Sequence, residues 1–157
     1  MSVKRRKPDP SVLELERFLP YRLNVLAEAV SRALSRIYAE RYGIGIPEWR
    51  VLATLGQYQP ITARDIGRHS RMHKAKVSRA VALLEERGLV ARNGSDSDRR
   101  EAPLTLTAKG RRIYGDLAPR ALAFAEKLTA VLTPAELRML DGLMDRLSSR
   151  AEAIGDG

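Results

Sequence analysis

The stretch RMHKAKVSRAVALLEERGLV, residues 71–90, decides how the rest of the chain is read. Val77, Val81 and Leu84 recur at helical spacing and define an inward pole, while Ala75, Arg79, Ala82 and Glu86 gather near the opposite one. Ser78 lies toward that outer side, and Lys74 and Lys76 flank it. The outward face is basic yet nearly bare of bulk. Such a helix can descend into a DNA major groove until its side chains meet base edges, its lysines neutralising phosphates on the two rims. Arg79 is long enough to reach guanine or phosphate. His73, Lys74, Ala75, Lys76, Ser78 and Arg79 are therefore the candidate contacts. Taken alone, the same pattern also fits a solvated amphipathic helix that carries Glu85 and Glu86 for solubility.

The flanking sequence separates these readings. Upstream, ITARDI (61–66) is a helix start: Thr62 can cap, Asp65 can return the bond, and Ile61 can staple against Ile66. That short helix gives way near Ser70, and the helix after it closes at Gly88. Downstream, Leu89–Arg92 and Ala102–Leu106 read as two strands of a hairpin, with Pro103 tolerable on an edge strand. The loop between them, SDSDRRE (95–101), puts Arg99 and Arg100 at or near the tip. An arginine there can enter a narrow A·T-rich minor groove, and Asp98 can hold one guanidinium in a fixed fork. A short helix, a tight turn, a second helix and a hairpin make a winged helix-turn-helix, so the expected partner is double-stranded DNA.

Composition agrees. The 157 residues carry a net charge of +9, and from Ile61 to Arg112 there are 13 Lys/Arg against 6 Asp/Glu. Four more cations occupy Lys4–Lys7, within residues 1–10, which the sequence leads us to expect as a basic, flexible arm. Basic surface of this density calls for a polyanion, nucleic acid before anionic membrane. No apolar run approaches a membrane span and no signal-peptide core follows the arm, so cytoplasmic residence is expected. With no cysteine, disulfides, thiolate metal sites and thiol redox sensing are excluded together. His69 and His73 stand four apart but straddle the turn without an acidic cluster, so no metal and no cofactor are expected. No nucleophile–base pair or phosphate-cradling glycine loop is present either, which argues against an enzyme.

Outside a DNA-binding lobe of residues 46–107, helical periods run through Leu15–Ile37, Ile113–Val131 and Leu137–Leu147. Pro20 should kink or restart the first, "RYGIGIP" ends it, and the next helix, carrying Trp49, should stop at Gly56. Thr133, Pro134 and Glu136 form a capping box for the last. These apolar stripes, in segments 11–45 and 108–152, lie outside the lobe and need a partner surface, which a twofold pairing of two chains provides. Tyr21, Arg22, Tyr38, Tyr42 and Trp49 fall where the first helix meets the lobe. A cleft there, with an arginine for an acid group, would suit a ligand; we take Tyr21, Arg22, Tyr38 and Trp49 as the candidate set.

"HKAKVSRAVALLEERGLVAR", the "DRR" of Asp98–Arg100 and the "LTLTAKG" that leaves the wing resemble MarR-type transcriptional regulators, and the resemblance extends from about Leu13 to Arg150. It implies a mainly α fold with a small β-hairpin wing, winged helix-turn-helix lobes joined by N- and C-terminal dimerisation helices, and one MarR-like domain over residues 11–152. It also implies a homodimer on a palindromic operator, usually a repressor, and a ligand that weakens DNA binding. "FLPYRLNVLAEAVSRALSRIYAERYGI" resembles the subset controlling aromatic-acid catabolism, which makes a small aromatic carboxylate or its thioester the expected effector. Oxidant-sensing members use cysteine, and this chain departs from them. The alternative is an architectural or RNA-binding winged-helix protein without a ligand.

Overall fold

The computed structural model describes residues 11–94 and 101–155. After a 3-10 turn at Leu15–Arg17 come α1 (Leu19–Tyr42), α2 (Ile46–Tyr58), α3 (Ala63–Ser70) and α4 (Lys74–Glu86). Strands β1 (Val90–Arg92) and β2 (Leu104–Leu106) follow, then α5 (Ala108–Thr129) and α6 (Pro134–Gly155). The fold is mainly helical with one antiparallel hairpin, a winged helix-turn-helix. Pro20 sits in the first turn of α1, where its missing N–H costs nothing, so it starts the helix and leaves it unkinked.

The core lies within the lobe. Val51, Leu52 and Leu55 of α2, Ile66 of α3, Val77, Val81 and Leu84 of α4, and Leu104 and Leu106 of β2 are all buried. Tyr38 and Ile44 close it from the end of α1, and Ile113 and Leu117 from the start of α5. By contrast, α6 buries none of its residues.

Local chemistry sets most boundaries. Thr62 accepts the Asp65 N–H at 3.2 Å and donates its hydroxyl to the Asp65 carboxylate at 3.0 Å. The Thr133–Glu136 box is reciprocal: Thr133 N–H reaches Glu136 Oε2 at 2.7 Å, and Glu136 N–H reaches Thr133 Oγ1 at 3.2 Å. Past α4, Gly88 takes φ 69°; its N–H bonds Glu85 O at 2.9 Å and Leu89 N–H bonds Leu84 O at 2.9 Å. This paired closure ends the helix on two buried leucines.

Two expectations need correction. Helix α2 runs through Gly56 to Tyr58; a Cβ at Gly56 would strike the ring of Tyr114, so the glycine serves close packing with α5. Pro103 does not lie on a free edge. Leu104 pairs with Arg92 on one side and, through bonds of 2.9 and 3.2 Å, with Ile61 on the other. Pro103 stands just before this register and only lends its carbonyl to Asn93 N–H at 2.8 Å. The wing is thereby tied to the entrance of α3.

Helices α1 and α5 are joined by Asp116. The Tyr42 hydroxyl donates to its Oδ2 at 2.8 Å and Arg41 Nε at 3.0 Å, while Arg120 reaches Oδ1 at 3.3 Å. These donors, Tyr42 first and Arg120 next, hold the Asp116 carboxyl below the usual carboxylate range. A depressed folded pKa contributes stability that is full above the unfolded value and lost as pH falls through the folded one. Asp116→Asn is expected to lower the melting midpoint at neutral pH, with the gap to wild type closing as the pH drops through about 4 toward 2. Paired thermal melts across that range check it; a constant gap would sink the linkage.

Candidate nucleic-acid interface

Helix α4 is two-sided. Val77, Ala80, Val81 and Leu84 are buried, each 2% exposed or less, and fix the helix on the core. Lys74, Ala75, Lys76, Ser78, Arg79 and Ala82 are exposed on the other face, and His73 is exposed at the N-cap position. Ala75, Ser78 and Ala82 are the small residues of that face, with the exposed Arg79 and Glu86 the long side chains among them. Ala80 joins the buried pole, a residue that the apolar-spacing argument did not single out. Asp98, Arg99 and Arg100 lie outside the described residues.

Both ends of α4 are tethered. At its C-terminal end the Arg87 guanidinium donates to the carbonyls of Tyr42 at 2.5 Å and Gly43 at 3.4 Å, capping α1. The Arg87 carbonyl in turn accepts from Lys109 Nζ of α5 at 3.2 Å. Glu85, half-buried, accepts from Arg92 Nε of β1 at 2.9 Å, linking α4 to the hairpin. At the other end, Arg71 in the turn before α4 bonds Glu152 of α6 at 2.6 Å. None of these partners was legible locally, because each bond spans from 7 to 81 residues.

The four residues grouped as a ligand site do not come together. Tyr38 stacks on Trp49 with ring centroids 5.3 Å apart, and Tyr38 is buried, so this pair belongs to packing at the α1–α2 junction. Burial pushes the Tyr38 hydroxyl above the usual tyrosine range, against the opposing charge of Arg50. Tyr21 and Arg22 are exposed in the first turn of α1, and Tyr21 stands about 25 Å from Tyr38 along the helix at 1.5 Å per residue. A cleft of about 400 Å³ opens elsewhere, between Ala27, Glu28 and Ser31 of α1, Ile46, Pro47 and Arg50 of α2, and Lys76 of α4. Arg50 is the functional candidate the sequence reading missed. Its one available signal was that it is the sole cation of α2.

His69 stacks on Tyr58 at 4.1 Å, and His73 stands beyond the turn, so the two do not share a helix face. Among the described residues no three His, Cys, Asp or Glu side chains converge as metal ligands, and no helix is long and apolar enough to cross a membrane.

This geometry has relatives. A family model described as MarR family matches residues 42–101. The HTH-type transcriptional repressor Rv2887 of Mycobacterium tuberculosis (strain ATCC 25618 / H37Rv) is 31% identical over 133 residues, 84% of this chain and 92% of that protein. A MarR/EmrR family transcriptional regulator from Acinetobacter sp. ADP1 superposes with a TM-score of 0.81 at 27% identity, covering 90% of this chain and 99% of that one. The PcaV transcriptional regulator from Streptomyces coelicolor, solved in complex with its natural ligand, shares the fold at 20% identity with a TM-score of 0.72, over 90% of this chain and 99% of its own. The chain carrying this basic, small-faced helix and its hairpin therefore belongs to the MarR family of DNA-binding transcriptional regulators.

Proposed function

We propose that the protein is a homodimeric repressor that lays α4 of each protomer in successive major grooves of a palindromic operator and is released by a small aromatic carboxylate or its thioester. The observation that carries this reading is the exposed face of α4, with Ala75, Ser78 and Ala82 open between Lys74, Lys76 and Arg79. Small side chains let the helix approach the bases, and the lysines supply the salt-dependent affinity. Arg99 and Arg100 of the wing take the flanking minor groove, with Asp98 orienting one of them. The homodimer follows from the apolar surface left on α1, α5 and α6: Leu26, Leu122, Met139 and Ile154 are each about 60% exposed or more. That much unburied aliphatic surface calls for a second copy, whose twofold axis matches a palindrome.

The effector reading moves to the cleft between α1, α2 and α4. Arg50 and Lys76 bring two cations to its wall, beside the acidic Glu28, and in this reading Lys76 also contacts phosphate at the groove rim. An aromatic acid seated there would draw Lys76 away from DNA. Full release needs on the order of 5 kcal/mol of differential affinity between the two states. Ring burial together with paired Arg50 and Lys76 is the chemistry that supplies it. Tyr21, Arg22 and Trp49 do not line this cleft; Trp49, the sole tryptophan and on the same helix as Arg50, serves as the fluorescence probe.

The test uses the full-length protein and a duplex selected from random sequence by the protein itself. Sedimentation should give twice the 17.5 kDa chain mass. Lys76→Ala should reduce the slope of log affinity against log salt by about one unit and leave sequence preference unchanged. Arg50→Ala should leave duplex binding intact, yet raise the benzoate or hydroxycinnamate concentration needed for release by about tenfold or more. Trp49 fluorescence follows occupancy. A panel of such acids and thioesters that alters neither fluorescence nor duplex binding would remove the effector reading, and a folded monomer would remove the dimer.

A further inference from the structure

Helix ends in this fold repeatedly use the left-handed backbone region. Gly43 follows α1 at φ 60°, Gly88 closes α4 at φ 69°, and Arg71 closes α3 at φ 54°. Glycine suits the position because no Cβ crowds the neighbouring carbonyl. Arg71 is the only non-glycine residue with positive φ among the described residues. The closure itself needs nothing from its side chain, since Met72 N–H bonds Gly67 O at 3.2 Å backbone to backbone. A strained conformation kept by a residue whose side chain the turn does not use points to work for that side chain.

The Arg71 side chain is 78% exposed and donates to Glu152 Oε1 at 2.6 Å, across 81 residues of chain. It stands two residues before His73, the N-cap of α4, beside the exposed Lys74 and Lys76. Arg68, one turn earlier, is bonded to Asp65 at 3.5 Å, so a cation of the adjoining helix is held within its own element. In a helix-turn-helix the first helix crosses the DNA backbone, which brings the turn over phosphates. A guanidinium fork engages carboxylate and phosphate in the same geometry.

We propose that Arg71 is a phosphate-binding residue of the DNA interface and that Glu152, near the end of α6, is its built-in carboxylate competitor. The inference rests on the docking of α4 proposed above. Binding DNA then exchanges one anionic partner of Arg71 for another and frees the end of α6 from the helix-turn-helix. The residue whose backbone closes the turn thereby uses its side chain to report DNA occupancy to α6.

The experiment measures affinity for the selected duplex and a scrambled one across a salt series, with wild type, Glu152→Gln, Arg71→Gly, the double variant and Lys76→Ala. Glu152→Gln should tighten both duplexes about two- to fivefold, the range of an exposed ion pair. Arg71→Gly should weaken both and lower the salt slope by about one unit. The double variant should match Arg71→Gly, because Glu152 acts only through Arg71. Arg71→Gly should also raise the melting midpoint, since glycine relaxes the turn; weaker binding by a more stable protein separates a lost contact from a damaged fold. Tightening by Glu152→Gln that persists in the Arg71→Gly background would overturn the proposal. So would an unchanged slope in Arg71→Gly while Lys76→Ala changes it. If neither variant moves the slope, the α4 docking fails and this inference falls with it.

Discussion

Ala75→Glu is expected to abolish operator binding while leaving the lobe folded. Ala75 is exposed in the first turn of α4, between Lys74 and Lys76, on the face assigned to the major groove. A carboxylate there adds bulk where the helix must approach, and sets negative charge against phosphates and base acceptors. Like charges forced together at an interface cost several kcal/mol, which is about a hundredfold or more in affinity. The free protein suffers no such penalty. An acidic side chain in the first turn of a helix is favourable to the helix dipole, and α4 has none of its own there. The melting midpoint should therefore hold or rise slightly. Ala75→Gln, equal in size but neutral, should lose less, and the difference measures the charge part. An Ala75→Glu protein that binds the selected duplex as wild type does would remove α4 from the interface.

Gly110→Ala is expected to be a severely damaging single methyl group, set where α5 packs against the lobe. Gly110 lies buried in the first turn of α5, with its N–H held by Thr107 Oγ1 at 3.0 Å. A Cβ built there runs into the carbonyl oxygen of Leu89 and comes within 3.0 Å of its carbonyl carbon. Both neighbours are backbone, so no rotamer change relieves the contact. Leu89 has little room to retreat: its N–H closes α4 and its carbonyl accepts Thr107 N–H at 3.1 Å. Relief requires moving α5 away from the wing. Overpacking typically costs about 1–3 kcal/mol, and a rigid backbone clash belongs at the top of that range or above it. That is a large share of the roughly 5–15 kcal/mol that holds a domain folded. Gly115, in the same helix, has nothing within 4 Å of its would-be Cβ. Gly115→Ala should instead gain up to about 1 kcal/mol from helix propensity. Denaturant melts of the two variants should move in opposite directions; a Gly110→Ala midpoint at or above wild type would show that α5 adjusts freely.

What the sequence by itself determined was whatever depends on neighbours a few residues apart. The bare basic face of α4 was legible because one period of 3.6 residues sets the buried pole and the exposed face together. Thr62 with Asp65, Thr133 with Glu136, and Gly88 beyond α4 were legible because caps close within one turn. Tertiary structure decided what depends on distant partners. Gly56 read as a helix stop until Tyr114, 58 positions on, proved to occupy the space of its Cβ. Pro103 read as an edge residue because Ile61, the other neighbour of Leu104, belongs to a different element. Tyr21 and Arg22 read as companions of Tyr38 because spacing says which face a helical residue takes, not how far along a 24-residue helix it stands. Arg50 gained a cleft, and Arg71 a partner in Glu152, only when chain segments remote in sequence packed side by side. Periodicity and capping are local properties of a polypeptide; steric fit and ion pairing between helices come into being only with the packed fold.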